Sequence, residues 1–314
     1  MSYAQRVAAR RRVTLLRRAR RVALIALAAC ALLVSEVSLI SQLVERGEAA
    51  TVVRAGGPEA AAALVPVPVI VQVEAADPPQ GCAAGDALRA KDPAVLLEAF
   101  GGAAGMRDAI LAGNAPCVPL DDPALPWVVV NKQRPLSPLR YAPAELRVPP
   151  SHVVQGGLRA DVVDSFEQLV ATAQQEGAGR MALFSGYRSY DDQVATYDSQ
   201  VGARGHEGAD ALSAHPGFSE HQLGLAADLV ACGAAGCGTI YEFGETPQGA
   251  WLAENSWRFG WIVRYESGST PTTGYNPEPW HLRYIGPELA KVYHEGGHRT
   301  LEEFFGLPPA PDYR

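Results

Sequence analysis

Several reactive signatures are missing from this 314-residue chain. There is no Gly-x-Ser-x-Gly elbow, and none of Lys91, Lys132 and Lys291 has a Ser three positions before it. These absences exclude serine acyl-enzyme chemistry built on a strained Ser turn or a Ser/Lys pair. No internal repeat is visible, which excludes a solenoid or propeller. The five cysteines include no Cys-x2-Cys pair, so a four-thiolate zinc site is not expected. The longest apolar run, Val22 to Val34, falls short of the roughly 20 residues of a membrane span.

What is present points to export. Residues 1–21 carry eight Arg and no acid, leaving 19 of the 27 basic residues against 34 acidic ones in the rest of the chain. An acidic body argues against nucleic acid as a partner. The Arg cluster ahead of the apolar run reads either as a long export signal or as a marginal membrane anchor, with the Arg-rich end cytoplasmic. Leu27-Ala28-Ala29-Cys30 also resembles a lipoprotein cleavage box, although the apolar run continues past Cys30. Setting Cys30 aside leaves an even number of cysteines, in keeping with an oxidising compartment. Of the three connectivities, Cys82–Cys117 with Cys232–Cys237 is favoured, because each pair lies in one local segment. The expected location is the extracytoplasmic side of the cell envelope, with the body membrane-anchored or secreted.

Four segments follow from composition. Residues 1–46 are the Arg-rich end with its signal or anchor, and residues 47–80 an Ala/Pro/Val-rich linker. Residues 81–125 have helical spacing and read as a small helical subdomain, and residues 126–314 form the main domain. Within it, Trp127 to Val130 reads as a short strand, Leu158 to Gln175 as a helix and Met181 to Phe184 as a central strand. A helix is expected around Asp191 to Val201, another over Pro247 to Trp257, a strand over Trp261 to Tyr265 and a closing helix from Pro287. Short strands mixed with helices predict an α+β fold with a small antiparallel sheet and flanking helices.

Two stretches carry the chemistry: Ser219-Glu220-His221-Gln222-Leu223-Gly224-Leu225-Ala226-Ala227-Asp228 and Glu278-Pro279-Trp280-His281. Two imidazoles and one carboxylate make a three-ligand set with a fourth position open, and the second carboxylate is free to act as base. If the chain is extended from Gly224, then Gly224, Ala226, Asp228 and Val230 share one face and Leu225, Ala227 and Leu229 the other. Pro279 cannot donate to a ladder, so Glu278 is expected on the loop feeding a strand from His281 to Ile285.

These stretches match Ser-x-His-x-x-Gly-x-Ala-x-Asp and Glu-x-x-His, and the chain resembles the zinc D-alanyl-D-alanine carboxypeptidases of the VanY type, from near Val128 almost to the end. The resemblance implies a Hedgehog/DD-peptidase-like fold and Zn2+ held by His221, Asp228 and His281, with Glu278 as general base. It also implies a cleft lined by Ser185-Gly186-Tyr187-Arg188-Ser189 and Gln193. Arg188 then anchors a carboxylate or developing oxyanion, with Gln193 and Ser219 as substrate contacts. The implied substrate is the peptidoglycan stem peptide, losing a C-terminal D-alanine. The same fold would serve an L,D-carboxypeptidase, an endopeptidase or a non-catalytic wall-binding module. No protein partner is legible.

A second match, His294-Glu295-Gly296-Gly297-His298, fits His-Glu-x-x-His. Two central glycines, each costing about 1 kcal/mol against Ala, argue for a fraying helix end instead of a zinc helix. His215 is expected at the cleft rim.

Overall fold

The computed structural model describes Cys82, residues 92–154 and residues 156–314. The expectations for residues 1–46 and 47–80 lie outside the described residues. Among the described residues no helix is long and apolar enough to cross a membrane.

The expected helical spacing before Ala112 resolves into α1 (Pro93–Ala99) and α2 (Ala103–Leu111). Asp92 caps α1 by accepting from the Ala94 amide at 2.9 Å, and Pro93 opens it where no amide is needed. Leu96, Met106 and Ala109 pack in one core cluster with Leu289, Tyr293, Leu301 and Phe304 from near the other end of the chain. The Cys82–Cys117 and Cys232–Cys237 disulfides are both formed.

Trp127 to Val130 is buried but is not a strand. Two of its carbonyls and that of Pro126 before it are taken by cations: Arg283 Nη2 donates to Pro126 O and Val128 O at 3.0 and 2.7 Å, and Arg134 Nε to Val129 O at 3.2 Å. With those acceptors satisfied, a β-like run needs no ladder partner.

Further on, β1 (Leu146–Arg147) pairs with β2 (Leu158–Arg159). Leu158 therefore belongs to a strand, and the helix predicted from there begins later, as α3 (Val163–Gln175). Its Val163, Phe166, Leu169, Val170 and Ala173 are buried, the helical stripe that the sequence shows. This stripe packs under β3 (Arg180–Ser185) with Leu183, Leu225, Ala227, Leu229 and Leu282. Burial of each large side chain stabilises the layer by roughly 1.5–3 kcal/mol.

The rest of the chain runs through α4 (Tyr190–Asp210), broken at Gly205, then β4 (Ala226–Gly233), β5 (Gly236–Cys237) and α5 (Pro247–Asn255). After these come β6 (Trp261–Tyr265), α6 (Thr270–Thr273), β7 (Glu278–Tyr284), α7 (Pro287–Glu295) and α8 (Leu301–Phe304).

The main sheet is antiparallel in the order β3-β4-β7-β6, with β5 hairpinned onto β4. The architecture is α+β, as predicted. The strand delivering Ser185 is nevertheless an edge, not a central strand, and β4 and β7 fill the centre. Glu278 also departs from expectation, because it begins β7 and pairs with Tyr265. The register slips between Val263 and Tyr265, and this irregularity admits Pro279 into the ladder.

Candidate metal centre and cleft

Register builds most of the site. On β4, Asp228 stands opposite His281 of β7 on one side and Ser185 of β3 on the other. Leu225, Ala227 and Leu229 face the core, so Asp228 is turned to the opposite face, where cross-strand neighbours come within about 5 Å at Cβ. His221 arrives from a 3-10 turn, Glu220–Leu223, ended by Gly224 in the left-handed region at φ 68°. A side chain at that position would be strained and would meet the Arg159 amide nitrogen at 2.9 Å.

Donor atoms of His221, Asp228 and His281 all lie within 4.8 Å of one another, and all three residues are buried. His221 Nε2 is 3.3 Å from Asp228 Oδ2, and His281 Nδ1 is 3.1 Å from Asp228 Oδ1. Yet Asp228 Oδ1 has no hydrogen-bond partner. The approach is close enough for a hydrogen bond but the angles are wrong, as expected when lone pairs aim at a common point.

The outer nitrogens set the tautomers. His221 Nδ1 donates to Gly186 O at 2.7 Å, and His281 Nε2 to Glu220 Oε2 at 3.3 Å. His221 thereby turns an unprotonated nitrogen inward, and His281 does so once its inward proton is displaced, which is how supporting groups prepare metal-binding histidines. Two imidazole nitrogens and a carboxylate with one buried unpaired oxygen fit a divalent cation of the zinc type.

Electrostatics agree with the geometry. Burial alone would raise the Asp228 carboxyl, but the two imidazoles outweigh it and hold it well below the usual range. Burial depresses His221 toward its neutral form. Burial also opposes charge on His281, yet the Asp228 and Glu220 carboxylates overcome this and raise it to about 10. A cation here must displace that proton. Glu278, with Oε2 3.6 Å from His281 Nδ1, is pushed up to about 8, chiefly by burial.

The three donors line a cleft of about 720 Å³ together with Glu278, Arg188, Gln193 and Ser219. These seven residues thus face one cavity with Ser185, Gly186 and Tyr187, whereas Ser189, also expected there, does not line it. Arg188 is opposed by burial and supported by the charges of Asp228, Glu278 and Asp192. Gln193 is fully buried; its Nε2 donates to Ala214 O and Ser213 Oγ at 2.7 and 3.2 Å, while its Oε1 has no partner. Ser219 is the N-cap residue of the 3-10 turn, but its side chain makes no capping bond.

The sequence reading passed over Glu220, Tyr265 and Tyr275. Glu220 is buried between Arg264 Nε and Arg283 Nη1 at 3.0 and 2.8 Å, and these cations hold its carboxyl well below the ordinary range against the opposing effect of burial. Arg264 also pairs with Glu302 at 2.7 Å, so two acids and two bases close a neutral network. The Tyr265 ring lies 5.0 Å from that of His281, and Tyr275 lines the cleft. The available signal was an Arg inside each of two apolar strand-forming runs, Arg264 and Arg283, since an Arg buried there demands an acid.

The second histidine motif comes to nothing. Helix α7 stops at Glu295, His294 stacks on Trp257 at 4.6 Å, and His298 packs instead against Phe304. Among the described residues, only His221, Asp228 and His281 form a candidate metal cluster.

Comparison with known proteins gives the family. Residues 155–287 match the VanY family, described as D-alanyl-D-alanine carboxypeptidase. The chain is 38% identical over 190 residues to a D-alanyl-D-alanine carboxypeptidase of Enterococcus faecalis, covering 56% of this chain and 64% of that one, so less than two thirds of that relative is matched. It is 30% identical over 178 residues to the bifunctional D-Ala-D-Ala dipeptidase and carboxypeptidase VanXYC of Enterococcus gallinarum, covering 56% of this chain and 91% of the relative. Among solved structures, an LdcB LD-carboxypeptidase described for peptidoglycan recognition superposes with a TM-score of 0.52 at 37% identity, covering 57% of this chain and 85% of that one. With this identity and coverage, the chain belongs to the VanY D-alanyl-D-alanine carboxypeptidase family of hydrolases.

Proposed function

We propose that the protein is a zinc-dependent carboxypeptidase that removes the C-terminal D-alanine from peptidoglycan stem peptides outside the cytoplasm. One observation carries this reading: three buried donor atoms converge beside a carboxyl of raised pKa and a guanidinium, in one open cleft. His221, Asp228 and His281 would hold Zn2+, which when bound supplies Lewis acidity for a peptide carbonyl and for water. Glu278 accepts a proton from the attacking water and returns it to the leaving amine. Arg188 offers a forked donor to the substrate's carboxylate or to the developing oxyanion, and Gln193 and Ser219 line the same cleft as substrate contacts. Residues 126–314 constitute the peptidase domain in this reading. Two disulfides support an oxidising compartment, and the charge pattern of residues 1–21 supports export.

The likeness to an LD-carboxypeptidase supports a second reading, cleavage of an L,D bond by the same residues. Incubating the zinc-loaded protein with defined penta- and tetrapeptide muropeptides, followed by mass spectrometry, separates the two. Loss of one D-alanine from the pentapeptide alone is the expected result. Trimming of the tetrapeptide transfers the assignment to the L,D bond, and intact substrates with a full metal complement would refute hydrolysis.

A further inference from the structure

Tyr313 lies outside both sequence motifs and does not line the cleft, yet its partners belong to two segments that wall it, one from Ser213 to Ser219 and one bearing Tyr275. Its hydroxyl accepts the His215 amide at 2.9 Å and shares a hydrogen bond with Tyr275 Oη at 3.0 Å. Its ring stacks flat on His215, with centroids 3.6 Å apart and 5° between planes, and meets Phe218 edge-on at 5.4 Å. On the far side of His215, Nε2 contacts Tyr197 Oη and Asp210 Oδ1, each at 2.9 Å. His215 is thus a clamped joint set back from the cleft, not one of its lining residues.

The segment carrying this tyrosine is itself fixed. Lys132 Nζ donates to Pro311 O at 3.0 Å and Gly274 O at 2.8 Å, and Gln133 Nε2 donates to Asp312 O at 3.3 Å. The Ala310 amide reaches Thr272 O at 2.8 Å. The Lys132 ammonium sits over the rings of Tyr275 and Tyr313, at 4.8 and 5.4 Å.

We infer that Tyr313 is a positioning residue that fastens the wall from Ser213 to Ser219 to the wall bearing Tyr275, and so fixes the substrate-binding geometry of the cleft. Ser213, Ala214, Ser219 and Tyr275 all line the cavity. Gln193 is oriented through Ser213 Oγ and Ala214 O, leaving its Oε1 buried and unpaired for a substrate donor. A shift of this wall displaces several binding groups together, while the metal donors, on β4, β7 and the 3-10 turn, keep their own supports. The inference rests on the carboxypeptidase reading for its kinetic consequence but not for its structural one.

The test compares wild type with Tyr313→Phe and Tyr313→Ala in the full chain. Zinc content, thermal unfolding, amide hydrogen exchange at His215 without substrate, and D-alanine release from a D-Ala-D-Ala-terminated pentapeptide are measured. Tyr313→Phe keeps the ring and removes only the hydroxyl, so it guards against misfolding. Faster exchange at His215, a KM raised about tenfold, kcat within about twofold and unchanged zinc content are expected, since loss of uniform binding moves KM alone. Unchanged His215 exchange in both variants overturns the latch, and faster exchange with an unaltered KM overturns its role in positioning. Wild type that releases no D-alanine instead rejects the underlying enzymatic reading, and the exchange result then decides the latch by itself.

Discussion

Glu220 Oε2 lies 3.3 Å from His281 Nε2, so a carboxylate never aimed into the donor cluster determines which nitrogen of that ring faces it. Arg264 and Arg283 grip Glu220, and Glu302, itself bonded by Asn131 Nδ2 at 2.9 Å, grips Arg264. Removing one member of such a buried network leaves charges with no partner and no water. Glu220→Ala is expected to weaken zinc binding 10- to 100-fold, as loss of a second-layer partner does. It should also destabilise the fold by about 3–5 kcal/mol. Competition with a chromophoric chelator and a denaturant titration measure the two effects. Wild-type zinc affinity in this variant would show that the carboxylate does not orient the ring.

In the proposed function Glu278 moves protons and does not hold the cation. Glu278→Gln should keep full zinc stoichiometry while turnover falls by about 10²–10⁴-fold, the usual contribution of a positioned acid–base group. Metal analysis and D-alanine release on the same preparation check this. Near-normal turnover would remove Glu278 from the mechanism.

The pH dependence of the metal-free protein is set by two raised groups, which together outweigh the depressed His221. His281, raised from 6.5 to about 10, contributes stability that is complete below its unfolded value and lost as pH rises toward 10. Glu278, raised from 4.5 to about 8, contributes in the same direction, because the fold favours its protonated form and loses that preference on ionisation. The depressed carboxyls of Asp228 and Glu220 act oppositely, and their contribution vanishes as pH falls below the ordinary carboxylate range. The melting temperature in chelator is therefore expected to fall from pH 6 to pH 9. Zinc should offset the fall, because deprotonation of His281 accompanies binding. A chelated melting temperature that rises across this range would contradict the assignment.

Gly186 supports His221 through its carbonyl, and its own position is close against another backbone. A Cβ on it would lie 2.3 Å from Gly157 O. Gly186→Ala must push this carbonyl or the residue 157 segment aside, at about 1–3 kcal/mol, and misaim the His221 ring. Zinc affinity is expected to drop by about tenfold with kcat/KM falling alongside. Isothermal titration with zinc gives the affinity, and an unchanged value would mean that the Gly186 carbonyl is dispensable.

Some of this was legible before any fold was known. Alternation along residues 224–230 put Asp228 on the face away from Leu225, Ala227 and Leu229, since extended backbone has a period of two. The stripe Val163, Phe166, Leu169, Val170, Ala173 marked a helix with one buried face. Other expectations failed where a long-range contact replaced a local rule. Trp127 to Val130 has strand-forming residues, but arginine side chains took its carbonyls. Pro279 predicts a loop at Glu278, yet an irregular register admits both residues to the strand.

By itself, the sequence determined which side chains are able to coordinate and on which face of its strand Asp228 stands, because donor chemistry and local periodicity are properties of neighbouring residues. Only the tertiary structure decided that Asp228 faces His281, that Glu220 instead of Glu278 supports that ring, and that Tyr313 joins two walls of the cleft. Those relationships join residues 38 to 98 positions apart. They depend on strand register and on the matching of buried charges, neither of which any local pattern encodes.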